Sequence, residues 1–297
     1  LTLIKFADDM ALVARLKDEH SLSQYFLFIE TLSSWFDSSF LELNVQKTKE
    51  LCLEEGRARD ASLVRPVTIK NEAVEQVDNF KYLGTILDKN LSFSAHVDSV
   101  CKKANQRVYL LRKLKSFDVS APILETVYRS LIESILTFNI ITWFGNLSVK
   151  DRARLSRVVK LAGKIIGSQQ KQLPDLYHQA VYRKARKIRL DPTHPLHNSF
   201  QLLPSRRRLR APLAKRNLYK RSFIPSAISI LNANALVWNV LPDSTDWLVG
   251  WLGDIYVCAW VYVCVCMRVC VCVCVCVSVC VCKGEGGGGG TGPGNVM

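Results

Sequence analysis

Two adjacent carboxylates, Asp8 and Asp9, follow Phe6-Ala7 and stand between two short apolar runs, Leu1-Thr2-Leu3-Ile4 and Met10-Ala11-Leu12-Val13-Ala14. Paired acids at a tight turn between buried strands can gather divalent magnesium, which takes oxygen ligands and draws phosphate oxygens to itself. The tetrad suits a plain polar hairpin turn equally well, because Asp is favoured in turns for its local backbone hydrogen bonds. What surrounds the acids therefore has to decide between the two. Downstream, the stretch Leu41-Glu42-Leu43-Asn44-Val45-Gln46-Lys47-Thr48-Lys49 sets a cation, Lys47, in a polar turn before the apolar Leu51-Cys52-Leu53. Residues Val77 to Asp88 alternate aromatic and aliphatic side chains around Gly84, which suits a hairpin that brings its backbone close to another chain.

The elements that carry these residues follow from periodicity. Leu22, Phe26, Ile29 and Leu32 recur at helical spacing, so the order after the acidic turn is helix, turn, strand. From Val97 to Leu114 the chain reads as a basic amphipathic helix. Val100, Ala104, Val108 and Leu111 lie on one side, with Lys102, Lys103, Arg107, Arg112 and Lys113 around the other. A second helix opens at Ser120-Ala121-Pro122, with proline in its first turn, and runs through Leu124, Val127, Leu131, Ile135 and Phe138 towards Trp143-Phe144-Gly145. A third is expected from Val149 to Gly167.

Taken together, the motifs resemble those of LINE-type (non-LTR) retrotransposon reverse transcriptases, in that family's order. Phe6-Ala7-Asp8-Asp9 resembles motif C, the L-x-L-N-x-x-K-T-K stretch resembles motif D, and Phe80-Lys81-Tyr82-Leu83-Gly84 is similar to the primer grip. Singly each is weak, since K-T-K is an ordinary solvated turn and F-K-Y-L-G an ordinary strand. The stretch from Leu202 to Arg208 and on through Ser222 to Ile228 also looks like the end of such elements' second reading frame, so the resemblance covers residues 1 to about 235. It implies RNA-directed DNA polymerase (nucleotidyltransferase) chemistry. Asp8 and Asp9 would help hold Mg2+, Lys47 would sit near the nucleotide phosphates, and Phe80 to Gly84 would hold the primer end.

Charge supports a nucleic-acid partner without any family resemblance. Residues 1–100 carry 11 Lys+Arg against 16 Asp+Glu, whereas residues 101–221 carry 27 against 6. A balance of +21 with Tyr109, Tyr128, Trp143, Tyr177, Tyr182 and Tyr219 spread through it suits a phosphate-backbone binder with rings available for base stacking. With no base-reading motif, binding to RNA and DNA is expected to be independent of sequence, and no small-molecule cofactor is expected. Arg206, Arg207, Arg208 and Arg210 form a run that serves as part of this footprint or as a nuclear-localisation signal. The plainer alternative is a solvated helical surface, or a non-catalytic nucleic-acid-binding helical module.

His96-Val97-Asp98 is an H-x-D, the start of an iron and 2-oxoglutarate facial triad, with His178, His194 or His197 as distal ligand. Residues 103–147 also resemble a short helical segment associated with the N-terminus of AlkB-homologue alkylated-DNA-repair proteins. An oxygenase triad needs its H-x-D on a strand of a β-helix. Here it opens a basic helix, so His96 is expected to be a solvated residue at a helix N-terminus.

Nine of the eleven cysteines lie beyond residue 255, where Val269 to Cys282 alternates valine with cysteine apart from Ser278. The length of this apolar stretch suits a membrane helix, but β-branched valines and Arg268 argue against one, so membrane association is not expected. Its C-x-C spacing could bind soft metals or crosslink. GTG-TGT read in frame is Val-Cys, and the reading taken is a translated dinucleotide repeat that ends in the glycine run Gly286 to Gly290. Cys52 and Cys101 alone then fit a reducing nucleus or cytoplasm.

The expected fold class is α+β. A remnant of a right-hand polymerase palm (β-hairpin, helix, strands) occupies residues 1–95, a helical thumb-like region 96–170 and a basic C-terminal region 171–235. A disordered or repeat-derived tail fills 236–297. The chain opens directly before the acidic turn, so the expectation is a fragment without the further aspartate-bearing and nucleotide-selecting motifs, inactive as a polymerase by itself.

Overall fold

The computed structural model describes residues 1–53, 66–214 and 216–233, together with the backbone of 272–280. β1 (Thr2–Phe6) and β2 (Asp9–Arg15) form an antiparallel hairpin in the register Phe6↔Asp9, leaving Ala7 and Asp8 as its two-residue turn. Ala7 takes a positive φ of 52°. The apolar run of β2 alternates between two cores, as a strand buried on both faces must. Met10, Leu12 and Ala14 pack with Leu22, Tyr25, Ile29 and Phe36 of α1 (Glu19–Ser38), while Ala11 and Val13 join Leu51, Leu53 and the helical body. Asp18 and Ser21 cap α1 reciprocally, side chain to backbone in both directions.

After β3 (Glu42–Leu43) and β4 (Lys49–Cys52), two short strands, β5 (Thr68–Ile69) and β6 (Glu72–Ala73), pair with each other. β7 (Glu75–Val77) then joins β4 in parallel. β8 (Asn79–Tyr82) and β9 (Thr85–Asp88) make a separate hairpin whose turn, Leu83-Gly84, has φ of 45° and 89°. Two positive φ values match the twist of tight hairpins, and Leu83 bears a steric cost that glycine would not.

The helical body begins at α2 (Ser94–Ser116), which packs against α6 (Val149–Ile166). Between them, α3 (Ala121–Val127), a π-helical turn (Tyr128–Glu133) and α4 (Ser134–Thr137) run on as one helix. Its fully buried residues are Leu124, Tyr128, Ile132 and Leu136, while Val127, Leu131 and Ile135 are partly buried beside them and Phe138 is 41% exposed. The expected stripe is thus rotated. A π turn advances less rotation per residue than an α turn, which keeps residues four apart on one face. α5 (Ile140–Trp143), α7 (Leu173–Leu190), α8 (Asn217–Lys220) and α9 (Phe223–Ala233) complete the body. One contiguous hydrophobic cluster runs from Ala11 and Leu51 to Leu231, so the acidic hairpin and the basic helices share a core.

The expected tail departs from the structure at 272–280. Its backbone forms β10 (Cys272–Cys280), inserted antiparallel between β2 and β4 and also pairing β3, in a six-stranded sheet ordered β1-β2-β10-β4-β7. Alternating Val-Cys has the two-residue period that a strand requires, and β2 and β4 run parallel to each other with room for one antiparallel strand between them. The rest of the expected tail, and Trp238 and its neighbours, lie outside the described residues.

Candidate nucleic-acid interface

The acidic turn is exposed at Asp8 and half-buried at Asp9, the first residue of β2. Their oxygens are of the type magnesium takes. Among the described residues no group of three or more His, Cys, Asp or Glu is gathered for a metal ion, so the pair supplies part of a ligand set. β10 runs beside the turn, with Ser278 in register with Asp9.

Lys47 ends a 3-10 turn, Val45–Lys47, whose geometry is set by Asn44. The Asn44 side-chain oxygen accepts the Lys47 N–H at 2.9 Å, and the Asn44 carbonyl accepts the Thr48 hydroxyl at 2.8 Å. This local capping leaves the Lys47 side chain in solvent. In the β8–β9 hairpin, Tyr82 is buried, Phe80 and Leu83 pack against the main core, and Lys81 and Gly84 are at the surface. A Cβ on Gly84 would lie 2.9 Å from the Phe138 ring, so the backbone that approaches closely here approaches the chain's own helical body.

The basic helix segregates as its sequence demands. Val100, Ala104, Val108 and Leu111 of α2 are buried, and Lys102, Lys103, Arg107, Arg112 and Lys113 are all exposed, with no carboxylate among the described residues paired to them. Other cations are taken up by the fold. Arg154 holds Asp98 at 2.6 Å and Asp151 at 3.1 Å. Arg152 donates to the carbonyls of Phe144 and Gly145 at 3.2 and 2.9 Å, and its guanidinium lies 4.9 Å from the Phe144 ring. Burial raises the Asp151 carboxyl, but hydrogen bonds from Ser148, Ser94 and Arg154 outweigh it and hold the group below its ordinary range.

Arg206, Arg207, Arg208 and Arg210 are exposed on a small closed loop. Leu203 N–H donates to the Arg208 carbonyl at 2.8 Å and Arg210 N–H to the Gln201 carbonyl at 2.7 Å, with a β-bridge between Leu202 and Leu209. Leu209 is buried, and Asn232 of α9 clamps it from both sides, accepting its N–H at 2.8 Å and donating to its carbonyl at 3.1 Å. Four cations are thereby held on an ordered tip. The Pro204-Ser205 pair was the available turn signal.

Two expectations are corrected. Of the six rings offered for stacking, Tyr128 and Trp143 have no exposure and Tyr177 and Tyr219 are buried, whereas Tyr109 is 59% exposed and Tyr182 is half-buried. Their apolar area is worth more in the core than in solvent. His96 is not solvated either. It is 3% exposed, its ring meets Trp143 edge-on at 5.0 Å between centroids, and Nδ1 accepts the Ile86 N–H at 3.3 Å. Burial, helped by the Lys103 charge, pushes its pKa down to about 4. With Asp98 turned to Arg154, the H-x-D brings no pair of ligands together. His178 is exposed, and His194 and His197 bond backbone near the end of α7, Nδ1 of His194 accepting from Leu196 and Nδ1 of His197 lying 3.3 Å from the Ile188 carbonyl.

Cys101 lines a groove of about 290 Å³ between α2 and α6 with Asn105, Arg154 and Arg157. Burial pushes its thiol up, which makes it a packing residue rather than a nucleophile. No helix among the described residues is long and apolar enough to cross a membrane.

With a paired-acid hairpin built onto a basic helical body, the chain is similar to transposon RNA-directed DNA polymerases. A "Probable RNA-directed DNA polymerase from transposon BS" of Drosophila melanogaster is 26% identical over 147 residues, 48% of this chain and 16% of that relative. The corresponding protein of transposon X-element, from the same organism, is 27% identical over 135 residues, 44% of this chain and 14% of the relative. The matched part of the chain thus spans no more than 16% of either protein. Residues 93–134 match a family model described as the N-terminal region of alkylated DNA repair protein alkB homolog 8. That stretch comprises α2, α3 and the π-helical turn, with His96 closed into the core. No solved structure matches the chain.

Proposed function

We propose that this chain is a C-terminal portion of a LINE-type retrotransposon reverse transcriptase, running from motif C through palm and thumb, and that its own contribution is to hold nucleic acid without regard to sequence. The observation that carries the binding reading is the unpaired cationic face of α2, set on a body whose residues 101–221 have a balance of +21. Phosphates would displace counterions from Lys102, Lys103, Arg107, Arg112 and Lys113, an interaction that ignores base identity. The two transposon polymerases and the exposed Asp8-Asp9 turn support the polymerase part of the reading. In that reading Asp8 and Asp9 provide part of a Mg2+ site, Lys47 lies near phosphates, and Lys81 is the exposed side chain of the primer-grip hairpin. The metal's chemistry would be to activate the primer hydroxyl and stabilise the departing pyrophosphate, and a carboxylate from another segment is needed to complete its site.

The test is titration of the whole chain with single-stranded RNA and DNA of unrelated sequences at several salt concentrations. The expected result is comparable affinity for all sequences and a steep fall with salt, about 0.7 of a logarithmic unit per phosphate contact for single strands. Replacing Lys102, Lys103 and Arg107 by Gln should flatten that slope. Binding that is independent of salt, or confined to one sequence, would overturn the proposal.

A further inference from the structure

Beside the arginine-bearing loop lies a cleft of about 470 Å³, within the size range of small-ligand sites. Three elements wall it. α7 supplies Tyr177 and His178, the segment directly after Arg210 supplies Pro212, and α9 supplies Ser226 and Ser229, with Lys220 of α8 also lining it. Tyr177 is nearly buried and its ring is backed by Phe144 at 5.2 Å, so that wall is fixed, whereas His178 is exposed, its ring 5.7 Å from that of Tyr177. No carboxylate lines the cleft. The loop and the cleft share one frame, because Asn232 clamps Leu209 to α9, whose Ser226 and Ser229 form part of the cleft. Arg206, Arg207, Arg208 and Arg210 are therefore held at a fixed position at its edge.

An occupant must be a flat, largely apolar ring with a few polar edge atoms, joined to negative charge. We infer that the cleft receives one unstacked base of a single-stranded nucleic acid while the arginine loop and Lys220 hold the phosphates on either side. The inference rests on the nucleic-acid-binding reading above and adds to it a place where a base is bound, where α2 offers phosphate contacts alone. The His178 ring is the exposed π surface for the base, and the Ser229 hydroxyl is a donor and acceptor that serves any base edge. The site therefore distinguishes a base from no base without distinguishing among bases.

The experiment compares the whole chain binding to short single strands of RNA and DNA with binding to the same strands stripped of their bases. One aromatic-base contact should favour the base-bearing strand by about tenfold at fixed salt. Ser229→Trp, a change at an exposed position that fills the cleft, should remove this preference while leaving the salt slope intact, and His178→Ala should reduce it. Replacing the four loop arginines by Gln should weaken both kinds of strand and lower the slope. RNA and DNA arms that differ would assign the cleft to the sugar that binds better. Equal affinity for base-bearing and stripped strands, or a preference unchanged in Ser229→Trp, would overturn the inference while the phosphate-binding reading stands. No binding to either strand at low salt would overturn both.

Discussion

His96 makes folding stability depend on pH over a window that can be derived from the structure. In the folded chain its imidazole is enclosed by α2, Trp143 and the β8–β9 hairpin, and Nδ1 accepts the Ile86 N–H, so the neutral ring with its proton on Nε2 is the folded form. Its pKa is about 4 folded, against an ordinary value of 6.5. Between these values the unfolded chain binds more protons than the folded chain, so stability rises with pH across the window. The contribution is complete above pH 6.5 and is lost as pH falls towards 4. The difference amounts to roughly 3 kcal/mol, a sizeable part of the 5–15 kcal/mol that holds a typical domain together. The assay is urea unfolding at intervals from pH 7 to pH 4.5, comparing the natural chain with His96→Asn. Asn keeps an acceptor for Ile86 N–H and has no proton to gain. It should be less stable at pH 7, through lost ring packing, and the gap should close as pH falls. If the two curves stay parallel, His96 is not the buried neutral group described, and the reasoning fails.

The chain alone should show no primer extension on an RNA template, and Mg2+-dependent extension lost in Asp8→Asn would refute this. Gly145→Ala would put a Cβ 2.3 Å from the Arg221 carbonyl oxygen and 3.0 Å from the Tyr177 hydroxyl. That overpacking should cost about 3 kcal/mol in chemical denaturation, and a neutral result would show that the α8 junction yields. Val275→Pro removes an N–H at a position paired with both Leu12 and Glu50, so amide exchange in β2 and β4 should quicken. Unchanged protection would show that β10 does not hold the sheet together.

What could be read from the sequence was what is local. The acidic turn was legible because β2 and β1 flank it without interruption, and α6 because Ser148 and Asp151 cap it and Gly167 ends it at φ 88°. The faces of α2 were legible because exposed cations and buried aliphatics separate along it at helical spacing. His96 was misread because its burial depends on Ile86 and Trp143, neither of which helical spacing brings near. The stacking rings failed for a related reason. Spacing in a basic segment says nothing of which face an aromatic takes, and Tyr128 and Trp143 take the inner one. The arginine loop was read as a charge run, while the clamp that orders it comes from Asn232, a residue with no motif around it. β10 escaped notice because its repetitive composition drew attention away from its alternation, which is itself a strand period.

That alternation has a consequence for inheritance. If Val-Cys is the reading of a GTG-TGT tract, copying errors that lengthen or shorten the tract leave the tract's own reading unchanged. A strand presents alternate residues to opposite faces, so gaining or losing a Val-Cys unit slides β10 by one full period. Within the tract, each partner in β2 or β4 then meets the residue type it met before, valine opposite Ala14, Leu12 and Met10, cysteine opposite Val13 and Ala11. Only the sequence after the tract changes frame. A mutation-prone stretch of genome would thus encode a sheet strand that tolerates its most frequent kind of error.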